Sequence, residues 1–334
     1  MMDKVLTISV AAYNVEDFLE KTLDSCVAID KDVLDKVEII IVDDGSVDGT
    51  QGIGERYEDK YKLSVKYVRK ENGGHGSTIN YSMQHAQGKY FMLLDGDDWV
   101  DTASFRELVM RLQEEEADVI SCSYNMVDNE TGKETLVSHN SMFEVNKQYQ
   151  AKKMLSRARI FLAGLIVKTS ILQRYPFHVQ EKCFYVDMEY VTFFVPYVKT
   201  VIFYDLTVYQ CRTALVNQST SKLGAVQHAD DHIQVAKNLI DFYEVQKASN
   251  LSVENMKYIQ NMCIKVIEDV FLLPFSFPIN DKEIRDKMLK FNDYLYLRDK
   301  ELYRKKFRKK VNIMRKSRYI GWQLFAVINS IRYR

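Results

Sequence analysis

The sequence predicts an α/β fold: a mostly parallel sheet with helices on both faces, followed by a helical C-terminal region. Three observations carry that prediction. Short apolar runs recur through the first 122 residues, amphipathic stretches of helical length separate them, and polar clusters follow directly on three of the runs. Continuous rather than alternating apolar runs mark strands buried on both sides, as in a sheet covered by its own crossover helices.

The first run, Leu6–Ala12, stops at Tyr13-Asn14 and leads into a helical stretch over Glu16–Ala28. Val37–Val42 (VEIIIV) is the second, ended by Asp43-Asp44-Gly45 and followed by a helix over Gly49–Tyr61. Ser64–Val68 and Tyr90–Leu94 flank a helix over Ser77–Ala86, and Thr102–Glu116 joins the fourth run to a fifth, Asp118–Cys122. From about 124 to 215 the pattern loosens into α+β character, with strands expected at Gly164–Val167 and Val201–Tyr204. Beyond about 222 the period is helical, over His228–Tyr243, Val253–Leu272, and Lys282–Leu289 and onward. The expected organisation is a domain over 1–222, with halves 1–123 and 124–222, and a helical region over 223–334.

Composition bounds the function. With 46% hydrophobic and 28% charged residues, the 334-residue chain reads as an ordinary globular protein. No secretory pattern opens it, and no window approaches eighteen uninterrupted apolar residues. Five scattered cysteines lack metal-ligand spacing and read as reduced thiols, so the expected location is cytoplasmic. The formal net charge of zero hides an asymmetry. Residues 281–334 carry 17 Lys+Arg against 6 Asp+Glu, which leaves 29 against 40 in the rest of the chain.

In parallel sheets, ligands bind beyond the carboxyl ends of the strands, where these polar clusters fall. Asp95-Gly96-Asp97-Asp98 places three carboxylates within four residues after a buried run, and a hard divalent cation relieves that repulsion. Asp95 and Asp97 are the candidates for a metal or nucleotide; Asp98 and Asp101 are equally explained as caps of the next helix. In Asp43-Asp44-Gly45-Ser46-x-Asp48, Ser46 or Asp48 reads as a helix N-cap, which leaves Asp44 to accept from a base or ribose hydroxyl. Asn72-Gly73-Gly74-His75-Gly76-Ser77 is a glycine-rich turn before a helix, able to bring N–H groups close to a phosphate, with His75 read as a loop residue.

The order Val10-Ala11-Ala12-Tyr13-Asn14, DDGS-x-DGT, NGG-x-G-S-x-x-N and A-x-G-K-Y-x-x-x-L-D-G-D-D resembles family 2 glycosyltransferases, which have the Rossmann-like GT-A fold. The ordered motifs span 6–101, and the resemblance continues more weakly to about 220. It implies an inverting, non-processive bacterial enzyme that moves one sugar from a nucleotide-diphosphate sugar, with a UDP-sugar expected, to an acceptor hydroxyl in cell-surface glycan synthesis. By that resemblance Ala11, Tyr13, Asn14, Asp44, Asn72, Gly74, Ser77, Asp95 and Gly96 bind the donor, and Asp97 with Asp95 holds Mn2+ or Mg2+. Phe184-Tyr185-Val186-Asp187-Met188-Glu189 resembles the segment that supplies the base; Asp187 falls on the base position, with a helix N-cap as its other reading, and Glu189 is the fallback. Downstream lie Tyr209-x-x-Arg212 and the polar loop Asn217 to Ser221, with Arg212 read as a diphosphate partner or equally as a member of a surface salt bridge. Three departures stand out: Ala12 for the usual proline, Ile79 for an arginine, and Val186 for the glutamate before the base. The Gln-x-x-Arg-Trp segment of processive members is absent, which points to single transfer.

Other classes fit less well. A phosphatase of the haloacid dehalogenase type expects Thr or Val where Trp99 stands, and no G-x-G-x-x-G follows the first run as a dinucleotide-dependent oxidoreductase requires. A non-catalytic scaffold leaves the aspartates unexplained. Residues 298–334 combine 13 Lys+Arg with apolar residues such as Tyr319, Ile320, Trp322 and Phe325. That pattern predicts a basic amphipathic helix against the inner face of the plasma membrane, or else packed onto the acidic body or another subunit with its charges solvated; nucleic acid is not expected. The acceptor (a glycan, a lipid-linked glycan or a protein) and a homo-oligomeric state stay open.

Overall fold

The computed structural model describes residues 4–138, 142–174, 178–214, 222–278 and 281–319. The chain divides into two compact units, Met1–Leu215 and Val216–Arg334.

The first unit is built on one mixed sheet. Its first four strands are β1 (Leu6–Ala12), β2 (Val37–Asp43), β3 (Val65–Arg69) and β4 (Tyr90–Asp95). They lie in the order β3-β2-β1-β4 and pair in parallel, with Leu6 opposite Val37 on one side and Tyr90 on the other. The apolar runs become strands because helices cover both faces; all seven residues of β2 are buried. A fully buried Ile or Val contributes about 1.5–3 kcal/mol, so a run like Ile39-Ile40-Ile41-Val42 commits the segment to the interior. The charge just before that run, Glu38, is satisfied on the spot. Its carboxylate accepts from Thr7 Oγ1 (2.7 Å), the Gln87 N–H (2.8 Å) and Lys66 Nζ (2.7 Å).

The rest of the sheet is mixed, where the sequence pattern loosened. It adds β5 (Trp99–Val100), β6 (Val119–Asp128), β7 (Glu134–Val137), β8 (Gln148–Gln150), β9 (Leu165–Lys168) and β10 (Thr200–Thr213). β9 runs antiparallel between β4 and β6, whereas β10 is parallel to β6 and carries β5 and β8 antiparallel. The register of β10 against β6 shifts between Phe203 and Thr207 and again before Tyr209. Such irregularities bend a strand and re-aim its side chains. Here they turn the last part of β10 toward the end of β4, where Tyr209 meets Asp98.

The second unit is helical, with helices over Lys222–Gln227, Ala229–Lys247, Val253–Leu272, Lys282–Arg298, Lys300–Arg304 and Lys309–Lys316. Ser252 and Asp281 cap two of them, accepting from the N–H groups of Asn255 and Ile284. The helix expected from Lys282 onward runs to Arg298, with Phe291 and Leu295 extending the buried stripe of Ile284 and Met288. Of the stretch 298–334, where an amphipathic helix is expected, the structure describes the part as far as Tyr319. Residues 298–319 form two short helices whose apolar residues Leu302, Phe307, Val311, Met314 and Tyr319 are buried within this unit, with the Phe307 and Tyr319 rings against Phe271. Ile320, Trp322, Phe325 and the rest of that stretch lie outside the described residues, as does the loop Asn217 to Ser221. Among the described residues no helix is long and apolar enough to cross a membrane.

Candidate active site

Three strand ends and one helix start form the site. At the end of β1, Tyr13 stands half exposed and Asn14 takes a left-handed backbone (φ 52°). That turn is laced to the turn after β2. Asn14 N–H donates to Ser46 Oγ (3.0 Å), Val47 N–H to Asn14 Oδ1 (2.9 Å), and Gly49 N–H to Glu16 Oε2 (2.6 Å). The N-cap reading of Ser46 and Asp48 is thereby corrected. The helix Thr50–Lys60 starts from Gly49 without a side-chain cap, and Asp48 accepts from the Glu16 and Thr50 N–H groups.

Asp43 and Asp44 divide the work at the end of β2. Asp43 is fully buried and closes the turn, accepting from Ser46 N–H (2.8 Å) and from the Tyr67 hydroxyl (2.5 Å). Asp44 reaches the glycine-rich turn instead. Its Oδ1 accepts from Gly73 N–H (2.9 Å), Lys70 Nζ (2.8 Å) and Ser77 Oγ (3.1 Å), and its Oδ2 from Gly74 N–H (2.7 Å). Lys70, which the sequence reading passed over, divides its three protons among Asp44, Ser77 Oγ and the Glu71 carbonyl. Asn72 is exposed beside this turn.

Two glycines set how the turn meets its neighbours. Gly74 holds φ 77° as the N-cap of the helix His75–His85, and a Cβ there would press on the Lys182 backbone at 3.2 Å. At Gly76 a Cβ would lie 2.0 Å from the Gln180 carbonyl oxygen. The segment 178–183 therefore packs directly on the helix start. Asn80 ties it further, donating to the Val179 carbonyl (2.9 Å) and accepting from Val179 N–H (3.1 Å). This packing brings Asp187 to the site from far along the chain.

His75 is the first residue of that helix, not a loop residue. Its Nε2 lies 3.2 Å from Asp95 Oδ1 at the end of β4. Burial disfavours the imidazolium, but Asp95, with Asp187 and Asp97 beyond it, raises the pKa of His75 above the ordinary histidine value. Burial likewise opposes ionisation of Asp95, and His75 reverses the effect, so its pKa is lowered. Asp97 has no such ion pair among the described residues, and Arg212 and His75 offset its cost only in part. Burial first and the Asp95 charge second push its pKa up to about 6.

Asp98 is inward and locked. Its Oδ2 accepts from the Tyr209 hydroxyl (2.7 Å) and its Oδ1 from Arg212 N–H (2.6 Å), while burial and the charges of Asp95 and Asp97 raise its pKa strongly. It is no helix cap; that position belongs to Asp101, which accepts from Ser104 N–H (2.9 Å). Gly96 N–H donates to the Ala11 carbonyl (2.9 Å), stitching the acidic turn to β1. Arg212 lies between the Phe18 and Trp99 rings, donates Nε to the Asp97 carbonyl (2.8 Å), and donates Nη1 to Asn129 Oδ1 (2.7 Å).

Asp187 opens the helix Asp187–Phe193 as its first residue, with Val186 at the N-cap position, so the N-cap alternative for Asp187 does not hold. Glu189, the fallback, is completely buried and accepts from Gln180 N–H (2.7 Å), an arrangement that supports the 178–183 segment. Among the described residues no three His, Cys, Asp or Glu side chains gather into a self-sufficient metal cage.

The comparisons agree with this architecture. The chain is 26% identical to EpsH of Bacillus subtilis (strain 168), a glycosyltransferase by name, over 215 residues that make up 61% of either chain. The match thus spans about three-fifths of that relative's length. Its fold is similar to that of S. aureus TarS 1–349 in complex with UDP-GlcNAc (TM-score 0.58, 16% identity, 94% of this chain and 92% of that one). It is also similar to the mannosyltransferase PcManGT from Pyrobaculum calidifontis in complex with GDP-Man and Mn2+ (TM-score 0.52, 16% identity, 98% and 86%). The profile of Glycosyl transferase family 2 matches residues 7–174, a stretch that holds the strand-end motifs, the glycine-rich turn and the acidic turn. With half its length matched and its sheet built in the GT-A manner, this chain belongs to glycosyl transferase family 2.

Proposed function

We propose that this glycosyltransferase moves a single sugar from a nucleotide-diphosphate sugar, a UDP-sugar, to an acceptor hydroxyl with inversion at the anomeric carbon. The observation that carries the reading is the approach of His75 Nε2 to Asp95 Oδ1 at 3.2 Å, with the charges of carboxylates from two distant segments acting on the same imidazole. Asp95 and Asp97 from the end of β4 and Asp187 from the start of its helix all bear on His75. An inverting transfer needs a negatively charged pole for the leaving group's counter-ion and a separate carboxylate for the incoming hydroxyl, and these segments supply one each.

The donor's base end fits the lips of β1 and β2. Tyr13 offers an exposed ring for stacking. Asp44 Oδ2 accepts one N–H and so keeps acceptor capacity for a donor such as a uracil imide, and the UDP-GlcNAc complex of TarS supports that choice. Ala11, Asn14, Asn72, Gly74, Ser77 and Gly96 line the same strand ends. Arg212 contributes by holding the Asp97 carbonyl and stacking on Trp99, and its diphosphate contact stays part of the proposal.

The residues at the end of β4 fit Mn2+ or Mg2+. Divalent ions at phosphate-transfer sites are commonly held by one or two carboxylates plus substrate phosphates, not by an all-protein cage. Asp97, with burial and Asp95 both working against its charge, has the most to gain from a cation, and the Mn2+ complex of PcManGT supports the assignment. When bound, the ion would neutralise charge developing on the departing diphosphate. Asp187 would take the proton from the acceptor hydroxyl as that oxygen attacks in line. His75 would hold Asp95 in its ionised form.

The reading is tested by donor turnover over a panel of UDP-, GDP- and TDP-sugars, with Mn2+, with Mg2+ and with chelator. Turnover of a UDP-sugar that chelator abolishes is the expected result. Undiminished turnover in chelator removes the metal assignment, and thermal stabilisation by GDP- but not UDP-sugars removes the uracil assignment.

A further inference from the structure

Residues 302–319 contain nine Lys or Arg and no Asp or Glu. The fold sorts this segment by polarity. Leu302, Phe307, Val311, Met314 and Tyr319 point into the helical unit, and Arg315 follows them, its guanidinium against the Phe271 and Tyr303 rings and bonded to the Tyr303 carbonyl. Arg304, Lys306, Arg308, Lys309, Lys310, Lys316 and Arg318 are exposed. Only Arg308 of these is paired with a carboxylate among the described residues, Glu268 at 2.8 Å. On the helix Lys309–Lys316, Val311 and Met314 mark the inner side, and helical spacing puts Lys309 and Lys316 on the opposite one. Six exposed cations held on one short stretch with no compensating acid repel one another, and folding tolerates that only because each is solvated.

We propose that this outer face of residues 304–318 docks the protein electrostatically on an anionic bilayer surface. The partner follows from the chemistry of the face. Lys predominates among its free charges, and an ammonium is a diffuse, non-directional match for a field of lipid phosphates. The aromatic residues that would stack on nucleic-acid bases are turned away, with Phe307 and Tyr319 both buried. The attraction needs no insertion by this segment, because its apolar residues already belong to the core of its own unit. That differs from the inserting amphipathic helix which the sequence pattern suggested.

The test uses the full chain, floated with vesicles of phosphatidylcholine alone or with about one-third phosphatidylglycerol. Each Lys near such a surface multiplies partitioning by about fivefold. The combined variant Lys306→Gln, Lys309→Gln, Lys310→Gln and Lys316→Gln is therefore expected to weaken binding to anionic vesicles by roughly several hundredfold. Raising the salt from about 0.05 to 0.5 M should release the unmodified protein in the same way, an arm that does not depend on any variant folding. Equal binding to neutral vesicles, binding that survives high salt or the four substitutions, or tighter binding to duplex DNA than to anionic vesicles at equal salt would each overturn the proposal.

Discussion

Asp97 carries a prediction that separates stability from activity. Burial and the neighbouring Asp95 charge raise its pKa from 3.8 to about 6. A rise of about two units is worth about 3 kcal/mol, and the partial exposure of the side chain trims this to about 1–3 kcal/mol. The sign follows from which state holds the proton. Below pH 3.8 both folded and unfolded chains carry a protonated Asp97, and nothing is lost. Between 3.8 and about 6 only the folded chain keeps the proton, so stability falls as pH rises; above about 6 the full cost is present. Asp97→Asn removes the charge and hence the cost. In chelator at pH 7 the variant should be more stable than the unmodified protein by about 1–3 kcal/mol, and the gap should close as pH falls toward 4. Urea unfolding at a series of pH values measures this. Adding Mn2+ with UDP should then stabilise the unmodified protein and not the variant, which should also lose transfer. An apo variant less stable at pH 7, or a gap that ignores pH, would refute the account of Asp97 as a carboxylate held at a cost for a cation.

Asp187→Asn should retain UDP binding while single-turnover transfer falls by about a hundredfold or more; lost binding with intact chemistry would make Asp187 structural. Gly76→Ala should destabilise the first unit by about 1–3 kcal/mol, since its Cβ meets the Gln180 carbonyl at 2.0 Å and that backbone must move. Because the same backbone leads to Asp187, transfer should fall further than stability alone accounts for, as activity measured well below the unfolding temperature would show. Lys70→Met should cost about 1.5–3 kcal/mol in thermal unfolding, the scale of a hydrogen bond to a charged group, as Asp44 loses its cation but keeps the Gly73 and Gly74 N–H groups. For Arg212→Gln the expected result is a clear loss of UDP affinity by calorimetry, as a diphosphate partner requires; a lower turnover with affinity nearly unchanged would confine Arg212 to its bond to the Asp97 carbonyl and its contacts with Phe18 and Trp99.

The strands of the first half were legible because their burial on both faces leaves little freedom of composition. Val37–Val42 has only one polar residue, and the structure needs three partners to keep that Glu38 inside. The later strands were harder to read. β6 runs ten residues where five were expected, since its second half is only partly buried and loses the apolar signal. β10 runs to Thr213 because register shifts let it continue beyond the apolar stretch Val201–Tyr204. Both extensions bear on the site, as they bring Tyr209 and Arg212 within reach of the acidic turn.

The strand-end residues announced themselves by type and place, but the sequence could not say which carboxylate faces outward. Asp43, Asp44, Asp95, Asp97 and Asp98 look alike on the page, and only packing separates them. Asp43 and Asp98 turn inward and are consumed by Tyr67 and Tyr209, both aromatic hydroxyls from strands distant in sequence. Asp44 accepts four donors, two of them successive glycine N–H groups, so the carboxylate read as a ligand for the base is also the latch of the glycine-rich turn. That turn starts the helix carrying His75, and His75 faces Asp95. A base seated on Asp44 Oδ2 would therefore touch the same network that orients the acidic turn. The physical consequence is a coupling: whatever tightens the Asp44 latch also fixes His75 and, through it, the charge state of Asp95. A variant that loosens the latch without touching the acidic turn, Ser77→Ala for instance, should then shift the His75 titration seen by NMR; a titration indifferent to it would break the chain at the turn.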